Sequence, residues 1–106
     1  PDMSQQLLSL VNLYISSLGA ALASSVDAGS KSDYRARLRA ANEVRDALSS
    51  ENIAGAASIL SEEKYTIGHI GMHGPGSDDA HYHFTRLAES LTKFRLSNRP
   101  DAGFGH

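Results

Sequence analysis

The chain has 106 residues, of which 41% are apolar and 21% charged, and its formal net charge is −2. A chain of this length holds one small core, so we expect a single soluble domain over residues 1–106. Cysteine and tryptophan are absent, which excludes disulfide scaffolds, thiol nucleophiles and cysteine-ligated metals. The balanced charge and the few aromatic residues argue against nucleic acid or a membrane surface as a partner.

The first helix is predicted from Met3 to about Val26, a stretch without any charged residue. A membrane span or a secretory signal fits less well, because polar residues interrupt the run and no Lys or Arg precedes it. We expect the helix to end near Asp27–Gly29, with Gly29 in its C-terminal cap. Apolar residues recur every three or four positions, which predicts a buried face at Leu7, Val11, Tyr14, Leu18 and Leu22, with Leu8, Ile15 and Val26 beside it.

A polar connection at Ser30–Asp33 is predicted to lead into a second helix over about Asp33–Ser49. Its apolar spacing predicts core positions at Tyr34, Leu38, Ala41, Val44 and Leu48. The basic residues of this helix are candidates for binding phosphate or an acidic partner. Acidic neighbours balance them, and Arg39 and Glu43 are spaced as a helical ion pair, which favours a solvated outer face. That face is predicted to carry Arg35, Arg37, Arg39, Glu43, Arg45 and Asp46.

After a break at Ser50–Asn52, a short third helix is predicted from its apolar spacing at Ile53, Ala56, Ala57 and Leu60. Small residues permit close approach, so we expect this helix to pack tightly against the first. Residues 64–73 are ambiguous because two glycines disfavour a helix, whereas a lone strand would have no partner. We predict a glycine-bearing helix there.

Gly74-Pro75-Gly76 marks a clear break before the last helix, which Ser77 is predicted to cap. Asp78 and Asp79 lie in its first turn, where the helix dipole favours anions. Its apolar stripe is predicted at Phe84, Leu87, Ala88, Leu91 and Phe94 or Arg95, and Asn98 and Pro100 are predicted to end it.

The predicted fold class is therefore all-α: a single-domain bundle of four to five helices, with a long first helix and a glycine-rich break before the last. We expect Met3 to be the natural first residue, with Pro1 and Asp2 added during cloning. Residues 97–106 are expected to form a loose tail.

The histidines are the first candidates for a chemical site. On a helix, His69 and His73 would share a face at the i,i+4 spacing that chelates Zn²⁺ or Ni²⁺. His81 and His83 point apart on a helix, and no H-E-x-x-H pattern occurs. We therefore expect no metal site and no other cofactor, and keep His69 and His73 as the alternative metal ligands.

Motifs of nucleotide binding and hydrolysis are absent from the sequence. The glycines at positions 68, 71, 74 and 76 do not match a phosphate-binding loop, and Asp78 and Asp79 would repel phosphate at the following helix. No G-x-S-x-G elbow occurs, and no carboxylate pair is visibly sequestered among apolar residues. We expect a protein that is not an enzyme.

Residues 66–72, with the sequence T-I-G-H-I-G-M, resemble a segment of the form T-L-G-x-I-A-V that ends a helix in one protein family. These are the small helical immunity proteins of bacterial type VI secretion that neutralise an NAD(P)-hydrolysing toxin. The order and lengths of the predicted helices resemble that family over roughly residues 4–96. Ile67 and Met72 are conservative departures, whereas Gly71 in place of alanine weakens the helix.

The resemblance implies a cytoplasmic, non-catalytic protein that binds a cognate toxin and blocks its active site. A toxin that binds NAD or nucleic acid needs a positive cleft, so acidic side chains are the expected anchors. Two alternatives stay open: a homodimeric adaptor that uses the wide apolar face of the first helix, and a histidine-based metal-binding protein. The expected partner-binding residues are Glu62, Glu63, His69, His73, Asp78 and Asp79.

Overall fold

The computed structural model describes residues 3–66, 72 and 74–97, and these residues contain four α-helices and no strand. The helices are α1 over Met3–Ser24, α2 over Ala28–Ser49, α3 over Ile53–Thr66 and α4 over Ser77–Ser97. The prediction of an all-α bundle is therefore confirmed. His69 and His73, most of the predicted helix at 64–73, and the predicted tail beyond Ser97 lie outside the described residues.

The helices pack as a bundle in which α1 lies between α2 and α4. α3 packs against α2 and, less extensively, against α4, and the described parts of α1 and α3 lie diagonally opposite each other. Three-residue connections join α1 to α2 and α2 to α3, and connections this short make neighbouring helices antiparallel. The predicted packing of the third helix against the first is wrong, because α2 and α4 occupy both positions beside α1.

The core is built from residues spaced alternately by three and four positions on every helix. This spacing places one stripe of each helix toward the bundle axis. The stripes follow most of the predicted positions, although Ala21 replaces Leu22 as the fully buried residue on α1. The buried apolar residues are Leu7, Val11, Tyr14, Leu18, Ala21, Tyr34, Ala41, Val44, Leu48, Ala56, Leu60, Ala80, Leu87 and Leu91.

The connection between α1 and α2 occupies residues 25–27, five to six residues earlier than the predicted connection at Ser30–Asp33. Asp27 is the N-cap of α2, and its carboxylate accepts a 2.9 Å hydrogen bond from the Ser30 backbone amide. This bond holds the pKa of Asp27 below its usual value. Gly29 therefore lies in the first turn of α2 instead of capping α1, and Val26, predicted on the apolar face, is 89% exposed.

The break between α2 and α3 is a Schellman turn followed directly by a new cap. The Asn52 amide donates to the Ala47 carbonyl at 2.7 Å and the Glu51 amide donates to the Leu48 carbonyl at 3.0 Å. Asn52 then caps α3, since its side-chain oxygen accepts a 3.0 Å hydrogen bond from Gly55. This geometry requires a left-handed residue at Glu51, whose φ is +60°, the position where glycine is usual.

Glu51→Gly is expected to raise the free energy of unfolding by about 1 kcal/mol, because glycine adopts the left-handed conformation without the Cβ clash. Urea denaturation measures the change. Glu51→Ala removes the same carboxylate but keeps the Cβ, so it is the matched control and is expected to give no such gain. Equal effects of both variants would contradict the strain at this turn.

α4 begins at a turn formed by Gly74–Gly76. Gly74 and Gly76 have φ values of +87° and +85°, and the Ala80 amide donates to the Gly76 carbonyl at 3.2 Å. Gly76 therefore occupies the N-cap position and Ser77 the first helical position, so the prediction of Ser77 as the cap is wrong by one residue. Asp78 and Asp79 lie in the first turn, as predicted.

α1 is the most apolar of the four described helices. The segment Gln5–Ser24 is long and apolar enough to cross a membrane, with a mean hydropathy of 1.6. The same helix supplies Leu7, Val11, Tyr14 and Leu18 to the core, and core helices of soluble proteins have this composition too. The apolar character of α1 is thus weak evidence for a membrane span, and the compact bundle is consistent with a soluble protein.

Candidate functional site

A polar bridge crosses the apolar core between three helices. Tyr14 from α1, Arg37 from α2 and Glu63 from α3 are each 1% exposed or less. The Tyr14 hydroxyl donates a 2.5 Å hydrogen bond to Oε2 of Glu63, and Nη1 of Arg37 lies 3.5 Å from the same oxygen. The bridge joins the diagonal helices α1 and α3, which are otherwise separated by α2 and α4.

Burial is the largest influence on the pKa values of Tyr14 and Glu63 in this bridge. Desolvation raises the pKa of Glu63, against the opposing effects of the Tyr14 hydrogen bond and the Arg37 charge. Burial and the neighbouring carboxylate also raise the pKa of Tyr14, so the phenol keeps its proton and acts as a donor. Arginine stays charged at any accessible pH. Glu63 is therefore the member of the bridge that responds to pH.

One carboxylate oxygen of Glu63 has no hydrogen-bond donor in the part of the chain that the structure describes. Oε2 of Glu63 interacts with both Tyr14 and Arg37, whereas Oε1 is buried and accepts no hydrogen bond from any described residue. An ionised carboxylate can accept about four hydrogen bonds. The second oxygen is thus a buried acceptor without a donor among the described residues.

The sequence predicted neither the burial of Arg37 nor that of Glu63. Arg37 was placed on the outer face of the second helix and Glu63 in a surface cluster, and both expectations are wrong. The spacing of both residues indicates burial. Arg37 lies three residues after Tyr34 and four before Ala41, and Glu63 lies three residues after Leu60. Both are core positions of the repeat, occupied by charged residues that can neutralise each other.

A groove runs along the outside of the α2–α3 pair, next to the bridge. We call it the α2–α3 groove; its volume is about 240 Å³. The exposed charged residues along it are Glu43, Glu62 and Arg39, which leaves one net negative charge, while the Glu63 side chain is buried beneath. The lining residues are Ala36, Arg39, Ala40, Glu43, Ile59, Glu62 and Glu63.

The structure brings together only part of the predicted binding cluster. Glu62 is exposed at the α2–α3 groove and Glu63 is buried beside it. Asp78 and Asp79 are exposed at the start of α4 and do not line this groove. His69 and His73 lie outside the described residues, and within the described ranges no three His, Asp or Glu side chains are placed to hold a metal ion.

The residues that the structure describes form an all-α bundle of four helices. No protein-family model, no curated protein and no solved structure matches it. The assignment of a function therefore depends on the chemistry of the bridge and the α2–α3 groove.

The free energy of unfolding is expected to fall as the pH rises through the folded-state pKa of Glu63. This pKa lies above its ordinary value of 4.5, so the folded state holds the proton more tightly than the unfolded state does. The stabilising contribution of Glu63 to the free energy of unfolding is fully present below pH 4.5 and is lost as the pH rises above the raised pKa. Urea denaturation between pH 4 and pH 8 measures it.

The control for this pH series is Arg37→Met/Glu63→Leu, which lacks the titrating carboxylate but keeps all surface carboxylates. Those groups add their own pH dependence to both proteins, and Asp27 acts with the opposite sign because its pKa is lowered. The difference between the two proteins isolates Glu63. A difference that does not change with pH would contradict the raised pKa.

Proposed function

We propose that this chain is a non-catalytic binding protein, and specifically an immunity protein that binds a cognate secreted bacterial toxin and blocks its active site. It acts in the cytoplasm and needs no cofactor. The observation that carries the proposal is the acidic α2–α3 groove, which is built on two helices that a buried bridge ties together. The resemblance at residues 66–72 supplies the class of partner.

The electrostatics of the groove suit such a partner. Glu43 and Glu62 are exposed at its edge, where they attract a positively charged cleft and speed the encounter of the two proteins. A cleft that binds the phosphates of a dinucleotide needs positive charge. Covering that cleft with an acidic surface therefore excludes the substrate.

The test is a pull-down with the protein encoded by the neighbouring upstream gene, followed by titration of the two purified proteins. We expect a stable 1:1 complex whose association slows when the salt concentration is raised. Asp46→Lys changes a charge on the exposed surface of α2 outside the groove, and serves as a control beside Glu62→Lys. Only Glu62→Lys is expected to slow association markedly. Absence of a complex would contradict the proposal.

A homo-oligomeric adaptor is the second candidate, and the surface of α1 favours it. α1 carries no charged residue over its whole length, and Leu13 is 49% exposed on it. Depletion of charge is typical of the centre of protein interfaces. Light scattering separates the candidates: a monomer excludes the adaptor, whereas a dimer that does not bind the neighbouring protein supports it.

A further inference from the structure

We propose that two copies of this chain exchange helix pairs, so that α3 and α4 of each copy pack against α1 and α2 of the other. The turn at residues 50–52 is the hinge. When it opens, α2 and α3 join into one continuous helix over residues 28–66. The partner is therefore a second copy of the chain, and the exchanged surface is the one that holds the two helix pairs together in a single bundle.

The hinge is strained in the single bundle. Glu51 has a φ of +60° and is, among the described residues, the only one other than glycine with a positive φ. In this left-handed conformation the Cβ lies too close to the following carbonyl oxygen. A continuous helix returns Glu51 to the ordinary right-handed conformation. Opening the turn thus releases strain, and short strained hinges favour the exchange of elements between copies.

The hinge sequence is compatible with a helix. Residues 49–53 read Ser-Ser-Glu-Asn-Ile and contain neither glycine nor proline, the two residues that oppose a helix most strongly. In the closed turn the Asn52 amide donates to the Ala47 carbonyl, and the Asn52 side chain accepts from the Gly55 amide. A continuous helix replaces both bonds by backbone bonds between residues four positions apart. The open hinge therefore leaves its backbone groups paired.

The contacts of the single bundle are rebuilt between the two copies. The packing of α1 on α2 and of α3 on α4 stays within one copy, whereas the packing of α2 on α3 and of α1 on α4 forms between copies. Tyr14 and Arg37 of one copy then hold Glu63 of the second copy in the buried bridge. Because the same core forms twice, exchange is a low-cost route to a dimer.

Exchange requires the bundle to open, so the chain purified without unfolding is expected to stay monomeric. This separates the exchanged dimer from the homo-oligomeric adaptor, whose folded surfaces associate directly. The exchanged dimer, once formed, is expected to persist on dilution, because both bundles must open again before the copies separate.

Refolding from urea at low and at high protein concentration, followed by size-exclusion chromatography with light scattering, tests the hinge. We expect a dimer fraction that rises with the protein concentration during refolding. Glu51→Gly is expected to reduce this fraction at least tenfold, because glycine relieves the closed turn and disfavours the continuous helix. Glu51→Ala removes the same carboxylate but keeps the strain, so it is the matched control and is expected to give as much dimer as the original chain or more. Absence of a dimer, or equal dimer fractions for the two variants, would overturn the proposal.

A distance measurement distinguishes exchange from the association of closed bundles. Arg39 and Glu62 are exposed and line the same α2–α3 groove, and the chain has no cysteine, so spin labels can be attached to Arg39→Cys/Glu62→Cys. In a continuous helix these positions are 23 residues apart, which is about 35 Å along the axis. Double electron–electron resonance on labelled chain mixed with excess unlabelled chain before refolding is expected to show this distance in the dimer and a much shorter one in the monomer. A dimer that keeps the short distance overturns the proposal.

Discussion

Glu63→Leu is expected to lower the free energy of unfolding by about 3–5 kcal/mol, which is the cost of leaving a buried charge without its counter-charge. An arginine guanidinium carries a permanent positive charge, and Arg37 is 0% exposed in the core. A domain of this size has a total stability of roughly 5–15 kcal/mol, so the loss is large. Urea denaturation, followed by circular dichroism, measures it.

Arg37→Met is expected to lower the free energy of unfolding by less than Glu63→Leu does, because the remaining carboxyl group of Glu63 can take up a proton. Its deficit is expected to grow as the pH rises. The matched control, Tyr14→Phe/Arg37→Met/Glu63→Leu, replaces the whole bridge by apolar groups and is expected to return to within about 1 kcal/mol of the original protein or to exceed it. A triple variant as unstable as Glu63→Leu would contradict the account of an uncompensated charge.

Gly76→Ala is expected to destabilise the protein by about 3 kcal/mol, from two separate causes. The φ of +85° is strained for any residue with a Cβ, at about 1–2 kcal/mol. The added Cβ would also lie 3.1 Å from Cα and 3.2 Å from Cβ of Ala21, so the turn would be pushed away from α1. Thermal and urea denaturation both report the change.

Gly74→Ala is the control that separates these causes. Gly74 has nearly the same φ, +87°, but a Cβ there would meet no atom within 4 Å. Its expected cost is therefore the conformational strain alone, about 1–2 kcal/mol. If both glycines cost the same, the close approach of the turn to Ala21 contributes nothing to stability.

The apolar part of the core could be predicted from the sequence because spacing and hydrophobicity agree there. On α1 the residues at 7, 11, 14 and 18 are apolar and buried as expected. The prediction failed between α1 and α2, where a glycine that favours a helix C-cap follows an aspartate that favours a helix N-cap. Gly29 was predicted to cap the end of α1. The carboxylate of Asp27, two residues earlier, instead caps the start of α2, so Gly29 lies inside the first turn of α2.

The polar bridge could not be predicted by a rule that assigns charged residues to the surface. Arg37 and Glu63 satisfy the core spacing but not the core composition, and the cost of burying each is offset only by the other. Their partnership joins residues 26 positions apart on different helices, which a single sequence does not reveal. The α2–α3 groove was missed with them, since its shape depends on Ala36 and Ala40 meeting α3.

The bridge and the groove belong to one arrangement. Glu63 belongs to both, and Arg37 precedes Ala40 on the same helix by three residues. The bridge fixes α2 relative to α3, so the groove exists before a partner arrives. A preformed groove avoids the entropic cost of ordering its side chains on binding.

A growth assay tests the central claim most directly. Cells express the product of the neighbouring upstream gene, with and without this chain, and their growth is compared. The account predicts that the product of the neighbouring gene arrests growth, that co-expression of this chain or of its Asp46→Lys variant restores growth, and that Glu62→Lys restores growth poorly. A toxin that arrests growth regardless of this chain, and that forms no complex with it, would contradict the claim that the chain is an immunity protein.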